Sequence, residues 1–142
     1  MFELKPLAPE RIPAALEKAE RYRLLNEPVD AESICRDILL IEHASEPALI
    51  SLLLALTDQF SHGQTDAFPE ARSIAGRLAG EYHQNYYLGI VYERRAKAHY
   101  CAGKSGSGAI AYDWFVKAME CYEKASATRP ADNDESLLRW NT

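Results

Sequence analysis

Little cysteine, no long apolar run and no surplus of basic residues mark this sequence, and each shortage removes a class of function. The three cysteines, Cys35, Cys101 and Cys121, are odd in number and lack the spacing of a metal site, so neither a disulfide framework nor a metal module is expected. Free thiols fit a reducing, cytoplasmic setting. The most apolar stretch, residues 48–56, is far too short to span a bilayer. Residues 1–20 carry Glu3, Lys5, Glu10 and Arg11 and contain no apolar run of signal-peptide length. With 16 Lys and Arg against 21 Asp and Glu, the formal charge is -5. That balance disfavours nucleic acid and membrane as partners, because both attract basic surfaces. Strand-type alternation is missing as well.

What is present is helical periodicity. The chain has 142 residues, 47% apolar and 26% charged, enough for a single domain over residues 1–142 with a core of its own. Pro9 and Pro13 open a first helix, on which Ile12, Leu16, Ala19, Tyr22 and Leu25 recur at helical spacing up to Asn26 and Pro28. Asp30 is placed to cap a second, running through Ala31, Cys35, Ile38 and Leu39 to about Glu42. Ser45 and Pro47 open a third to about Phe60, and residues 61–65, with Gly63, read as a loop. A fourth starts near residues 66–69, carries Ala71, Ile74, Ala75 and Leu78, and ends near Gly80. The fifth covers about 82–102, the glycine-serine segment 103–108 breaks it, and the sixth covers about 109–128. Asp132 or Asn133 is placed to cap a last short helix with Leu137, Leu138 and Trp140. Cys101 and Cys121 then lie on opposite helices at different heights, out of bridging range.

The most telling spacing lies in the fifth and sixth helices. Gly89 has no side chain, and a chain reversal near Ser105 and Gly106 sets Gly89 opposite Tyr122 and Tyr92 near Ala118, small against large at each level. Pro130 stops the sixth helix. The order Leu88, Gly89, Tyr92, Ala118, Tyr122, Ala125 and Pro130 resembles the tetratricopeptide repeat (TPR), a helix-turn-helix unit that stacks into a solenoid. In the first pair Ala19, Tyr22, Ala31, Cys35 and Ile38 take the same places, with His43 where the proline would be. In the second, Leu49, Leu52, Leu53 and Leu56 meet Ala67, Ala71 and Ile74 or, one turn on, Ala71, Ala75 and Leu78. There Leu53 replaces the small residue. The resemblance implies an all-α, right-handed helical solenoid of three TPR-like pairs, at about residues 12–45, 46–81 and 82–132, with a C-terminal helix at 133–142. Tyr92 and Ala118 stand further apart than a standard repeat allows, and the sequence between them stays helix-compatible. The third hairpin is therefore expected to be extended, by roughly two turns per helix or on the order of 12 Å.

Candidate chemistry is sparse. Gly103, Lys104 and Ser105 read like the tail of a phosphate-binding loop, but Ala98 stands where that motif needs glycine, and a helix precedes it instead of a strand. The four histidines, His43, His62, His83 and His99, have no ligand at the spacing that gathers a metal site on one helix face. Asp132, Asp134 and Glu135 suit a helix N-terminus. No nucleophile and base stand at a spacing that carries its own argument.

The resemblance implies a protein interaction module without catalysis, cofactor or metal, which binds a peptide or helix of a partner protein in the concave face of its first helices. That face, about 100° round from the small packing residue, carries Leu16, Glu20 and Arg23 on the first helix, and Ile50, Leu54, Thr57 and Asp58 on the third. On the fifth it carries His83, Tyr86, Ile90, Glu93, Arg94 and Lys97. Ile50, Leu54, Tyr86 and Ile90 form the expected apolar centre, within a charged rim. Ile50 and Leu54 fit the core between stacked helices as well. One subclass of the family grips acidic chaperone tails with basic residues. The matching places here hold Leu16, Glu20, Ser51, His83 and Tyr87, so that clamp is absent. Trp114 and Trp140 are candidates for a second contact surface. The alternative reading is a self-assembly domain that pairs two copies as a homodimer, and an enzyme with a spatially assembled site comes third.

Overall fold

The computed structural model describes residues 1–62 and 67–142, which form seven α-helices and no strand. The part of the expected loop at residues 63–65, and Asp66 at the start of the fourth helix, lie outside the described residues. Helix α1 (Ile12–Leu24) follows a short 3-10 turn and ends where Asn26 takes a positive φ of 61°. Asparagine tolerates that left-handed position at a helix end. Helix α2 (Pro28–Ile41) begins at Pro28 itself, because a proline in the first helical position forfeits no hydrogen bond. Asp30 consequently sits inside the first turn and not at the cap. Helix α3 (Glu46–Thr57) is capped by Ser45, whose hydroxyl accepts from the Ala48 amide. It stops short of Phe60, which belongs to a separate 3-10 turn at Phe60–His62.

Helix α4 (Ala67–Arg77) leads through Gly80 into α5 (Glu81–Ala102), and α6 (Ser107–Thr128) returns antiparallel to it. The reversal depends on Gly103 and Gly106, with φ of 63° and 81°, a region that side chains disfavour. Helix α7 (Glu135–Asn141) has Asp134 at its N-cap position, past the expected Asp132 or Asn133, with no capping bond from the Asp134 side chain; the Asn133 side-chain oxygen accepts from the Glu135 amide at 3.0 Å.

Each helix packs on the next in sequence, and α1 also touches α3, as α3 touches α5. One large core runs from α1 to α5 through Ala19, Cys35, Leu53, Ala71 and Val91. Burial pushes the Cys35 thiol up to about 11, which leaves it protonated and unreactive at neutral pH. A second core joins α5 to α6 through Tyr86, Tyr92, Ala118, Tyr122 and Ala125. At its centre the Gly89 backbone lies against the Tyr122 ring so closely that a Cβ on Gly89 would stand 2.5 Å from Cε1. Helices α5 and α6 have 22 residues each, so the hairpin outreaches the 12-residue α3. Its extra length is not free-standing. Trp114 meets Phe68 of α4 at 5.2 Å and Tyr92 at 5.5 Å between ring centroids, which folds the hairpin against the preceding pair.

Candidate functional site

Glu46, Ile50, Leu54 and Asp58 recur every four residues along α3 and its C-terminal cap, which puts them on one face. Contacts at both ends locate that face. Glu46 Oε1 lies 2.7 Å from the Nδ1 of His83 on α5. Asp58 accepts a hydrogen bond from Arg23 Nε of α1 at 2.8 Å and stands 3.6 Å from Arg94 Nη1 of α5. The stripe therefore runs between α1 and α5, with the half-buried Ile50 and Leu54 between two charged ends. Both apolar residues also pack against the core, so they serve as groove floor and as packing.

At the Asp58 end the stripe opens into a cleft of about 530 Å³ lined by Arg23, Thr57, Asp58, His62, Arg94 and Lys97 among others. The cleft has a wall because α5 continues past the end of α3. Lys97, Ala98 and Cys101 supply it, and the 3-10 turn at Phe60–His62 crosses at the base. Five residues expected from sequence, Arg23, Thr57, Asp58, Arg94 and Lys97, are thus brought together. Leu16 is elsewhere, half-buried against the core formed by Ile12, Ile38 and Ala48, and Glu20 is exposed on α1 with no side-chain partner among the described residues.

Tyr86 and Ile90 are not in the groove. They are only 6% and 2% exposed, because α7 and α6 close over that side of α5. The fastening is Glu93, a carboxylate 5% exposed that accepts from Tyr122 Oη at 3.1 Å, Lys97 Nζ at 3.0 Å and Arg139 Nη1 of α7 at 2.9 Å. A buried carboxylate with so many donors is satisfied in place. The Ser126 and Ser136 hydroxyls, 3.0 Å apart, tie α6 to α7 as well. Burial raises the Tyr122 hydroxyl pKa, helped by the Glu93 charge, and burial raises that of Tyr86 against the pull of Arg139. The aromatic residue on the groove side is Tyr87. It packs edge-on to His83 at 5.9 Å, remains partly exposed, and burial pushes its hydroxyl up to about 12.

The two tryptophans differ. Trp114 packs on Phe68 and Tyr92, with Lys117 above its ring at 4.5 Å, so it joins helices while staying partly exposed. Trp140 is 45% exposed on α7, beside the exposed Leu137 and Leu138. The segment around Gly103 is a turn between two helices. Among the described residues no three His, Cys, Asp or Glu side chains gather as a metal set, and no helix is long and apolar enough to cross a membrane.

Comparison with protein-family models, with curated proteins and with solved structures finds no match to this chain.

Proposed function

We propose that this chain is a protein interaction module, a right-handed stack of three TPR-like helix pairs whose first helices, α1, α3 and α5, receive a peptide or helix from a partner protein. It works in the cytoplasm without a cofactor, as a scaffold and not as an enzyme. The single observation that carries the reading is the Glu46, Ile50, Leu54, Asp58 stripe, a half-buried apolar strip with charged ends set between two flanking helices. An apolar centre with a polar rim is how protein-binding surfaces are commonly organised. A segment laid along it would touch α1 on one side and Tyr87 and Arg94 of α5 on the other.

The test is selection of random dodecapeptides on the immobilised protein, repeated with Ile50→Gln. The substituted side chain is half-buried, so thermal unfolding must first establish that the variant folds. Clones captured by the wild type and lost with Ile50→Gln support the groove. Clones that bind both proteins equally would remove it.

Self-assembly is the second reading, favoured by the exposed Leu137, Leu138 and Trp140 of α7. Sedimentation equilibrium decides it. A dimer that Trp140→Ala dissociates would support pairing through α7, and a monomer across micromolar concentrations would exclude it.

A further inference from the structure

In a chain whose formal charge is -5, the wide end of the groove gathers three cations, Arg23, Arg94 and Lys97, around one carboxylate, Asp58. That carboxylate cannot serve them all. It takes the Arg23 Nε bond at 2.8 Å, and its 3.6 Å separation from Arg94 Nη1 is too long for a hydrogen bond. The Arg94 side chain makes no hydrogen bond to any described residue, and its Nε is buried without an acceptor. The terminal nitrogens of Arg23 also lack an acceptor among the described residues. Lys97 is bound to Glu93, but Glu93 is shared with Tyr122 and Arg139, and the ammonium is half exposed at the rim. A buried guanidinium nitrogen without an acceptor, as at Arg94 Nε, is costly, and a planar fork of donors suits a carboxylate. Among the described residues the cleft is therefore short of one anion.

We infer that this cleft takes a side-chain carboxylate of an acidic peptide segment, clamped between Arg94 and Arg23, with Lys97 meeting a neighbouring acid at the rim. The inference rests on the reading of the groove as a peptide site and adds the chemistry of the ligand. Ile50 and Leu54 continue the same face, so the segment carries its acids at one end and apolar side chains at the other. A singly charged carboxylate fits better than a phosphate, because Asp58 faces the same arginines and would repel a dianion. The cleft lies about one to four turns beyond the positions of Leu16, Glu20, His83 and Tyr87 on their helices, and it draws its wall from the added length of α5.

The test is fluorescence anisotropy with fluorescein-labelled hexaglutamate, run beside hexalysine and a phosphoserine hexapeptide. Hexaglutamate should bind saturably at low salt and loosen as salt rises. Arg94→Gln should weaken it by about tenfold or more, the loss of a charged hydrogen-bond pair. Lys97→Gln should weaken it less, and Arg36→Gln, on α2 and bonded to Glu32 and Glu70, should leave it unchanged. Lys97 is exposed, so that variant keeps the test meaningful even where Arg94→Gln fails to fold. Absence of saturable binding, equal binding by Arg94→Gln and Lys97→Gln, or tighter capture of hexalysine or the phosphopeptide overturns the inference. The peptide selection separates the two levels: groove-dependent clones poor in Asp and Glu would sink the acidic ligand and leave the scaffold, whereas no groove-dependent clones would sink both.

Discussion

The second helix pair and the third hairpin distribute large and small residues differently. In the hairpin they alternate between the two helices, with Gly89 against Tyr122 and Tyr92 clustered with Ala118. In the second pair the large residues are mostly on α3, as Leu49, Leu52, Leu53 and Leu56, and α4 contributes Ala67, Ala71 and Ala75 beside one large residue, Ile74, all buried in one cluster. Close helix approach needs a small residue at each level, not a small residue on a particular helix. The sequence pattern of the second pair is degenerate, but its packing is not.

The largest expected effect that probes this contrast is Tyr122→Ala, which removes the ring against Gly89 and a donor to the buried Glu93. It should cost about 3–5 kcal/mol in urea unfolding. Leu53→Ala in the second pair should cost about 2–5 kcal/mol, and a loss under 1 kcal/mol would show that the second pair is loosely packed after all. Gly89→Ala forces a methyl group to within 2.5 Å of a fully buried ring and should cost about 1–3 kcal/mol. Combining it with Tyr122→Leu should recover part of that loss, since the clash is with the ring.

Alkaline pH should strain the hairpin in particular. Tyr86, Tyr87 and Tyr122 all have raised hydroxyl pKa values, with burial the leading cause. Above pH 10.0 the unfolded tyrosines release protons that the folded ones keep, so the unfolded state gains and stability falls as pH rises. The urea midpoint should hold steady below about pH 9 and drop between about pH 10 and pH 12. A midpoint that rises over that window would contradict the buried placement of these rings. The smallest effect is Gly76→Ala on α4, where an added Cβ meets nothing within 4 Å. It should stabilise by about 0.5–1 kcal/mol, the reverse of the same substitution at Gly89.

Much of the helical layout was legible from prolines, caps and periodicity, and the close approach of Gly89 to Tyr122 followed from counting antiparallel residues across one turn. The rotation of α5 was not legible. Residues Gly89, Ile90, Val91, Tyr92 and Glu93 are buried in succession, so the helix is enclosed on nearly every side there and no polar face marks its outside. An error of about 100°, one residue, is enough to exchange Tyr87 for Tyr86 in the groove. The cover over Tyr86 was equally hidden, because the Glu93 to Arg139 ion pair joins residues far apart in sequence and neither position follows a local motif. The contact of Trp114 with Phe68 was not legible either, because Phe68 lies in another helix pair, beyond any spacing rule.

The central claim is that ligands enter between α1, α3 and α5, and the most direct measurement is amide chemical-shift mapping of the labelled protein during titration with hexaglutamate. The account predicts shifts confined to the neighbourhood of Arg23, Leu54, Asp58, Arg94 and Lys97, with α6 and α7 silent. Shifts centred on Leu138 and Trp140, or spread evenly over the surface, would contradict it.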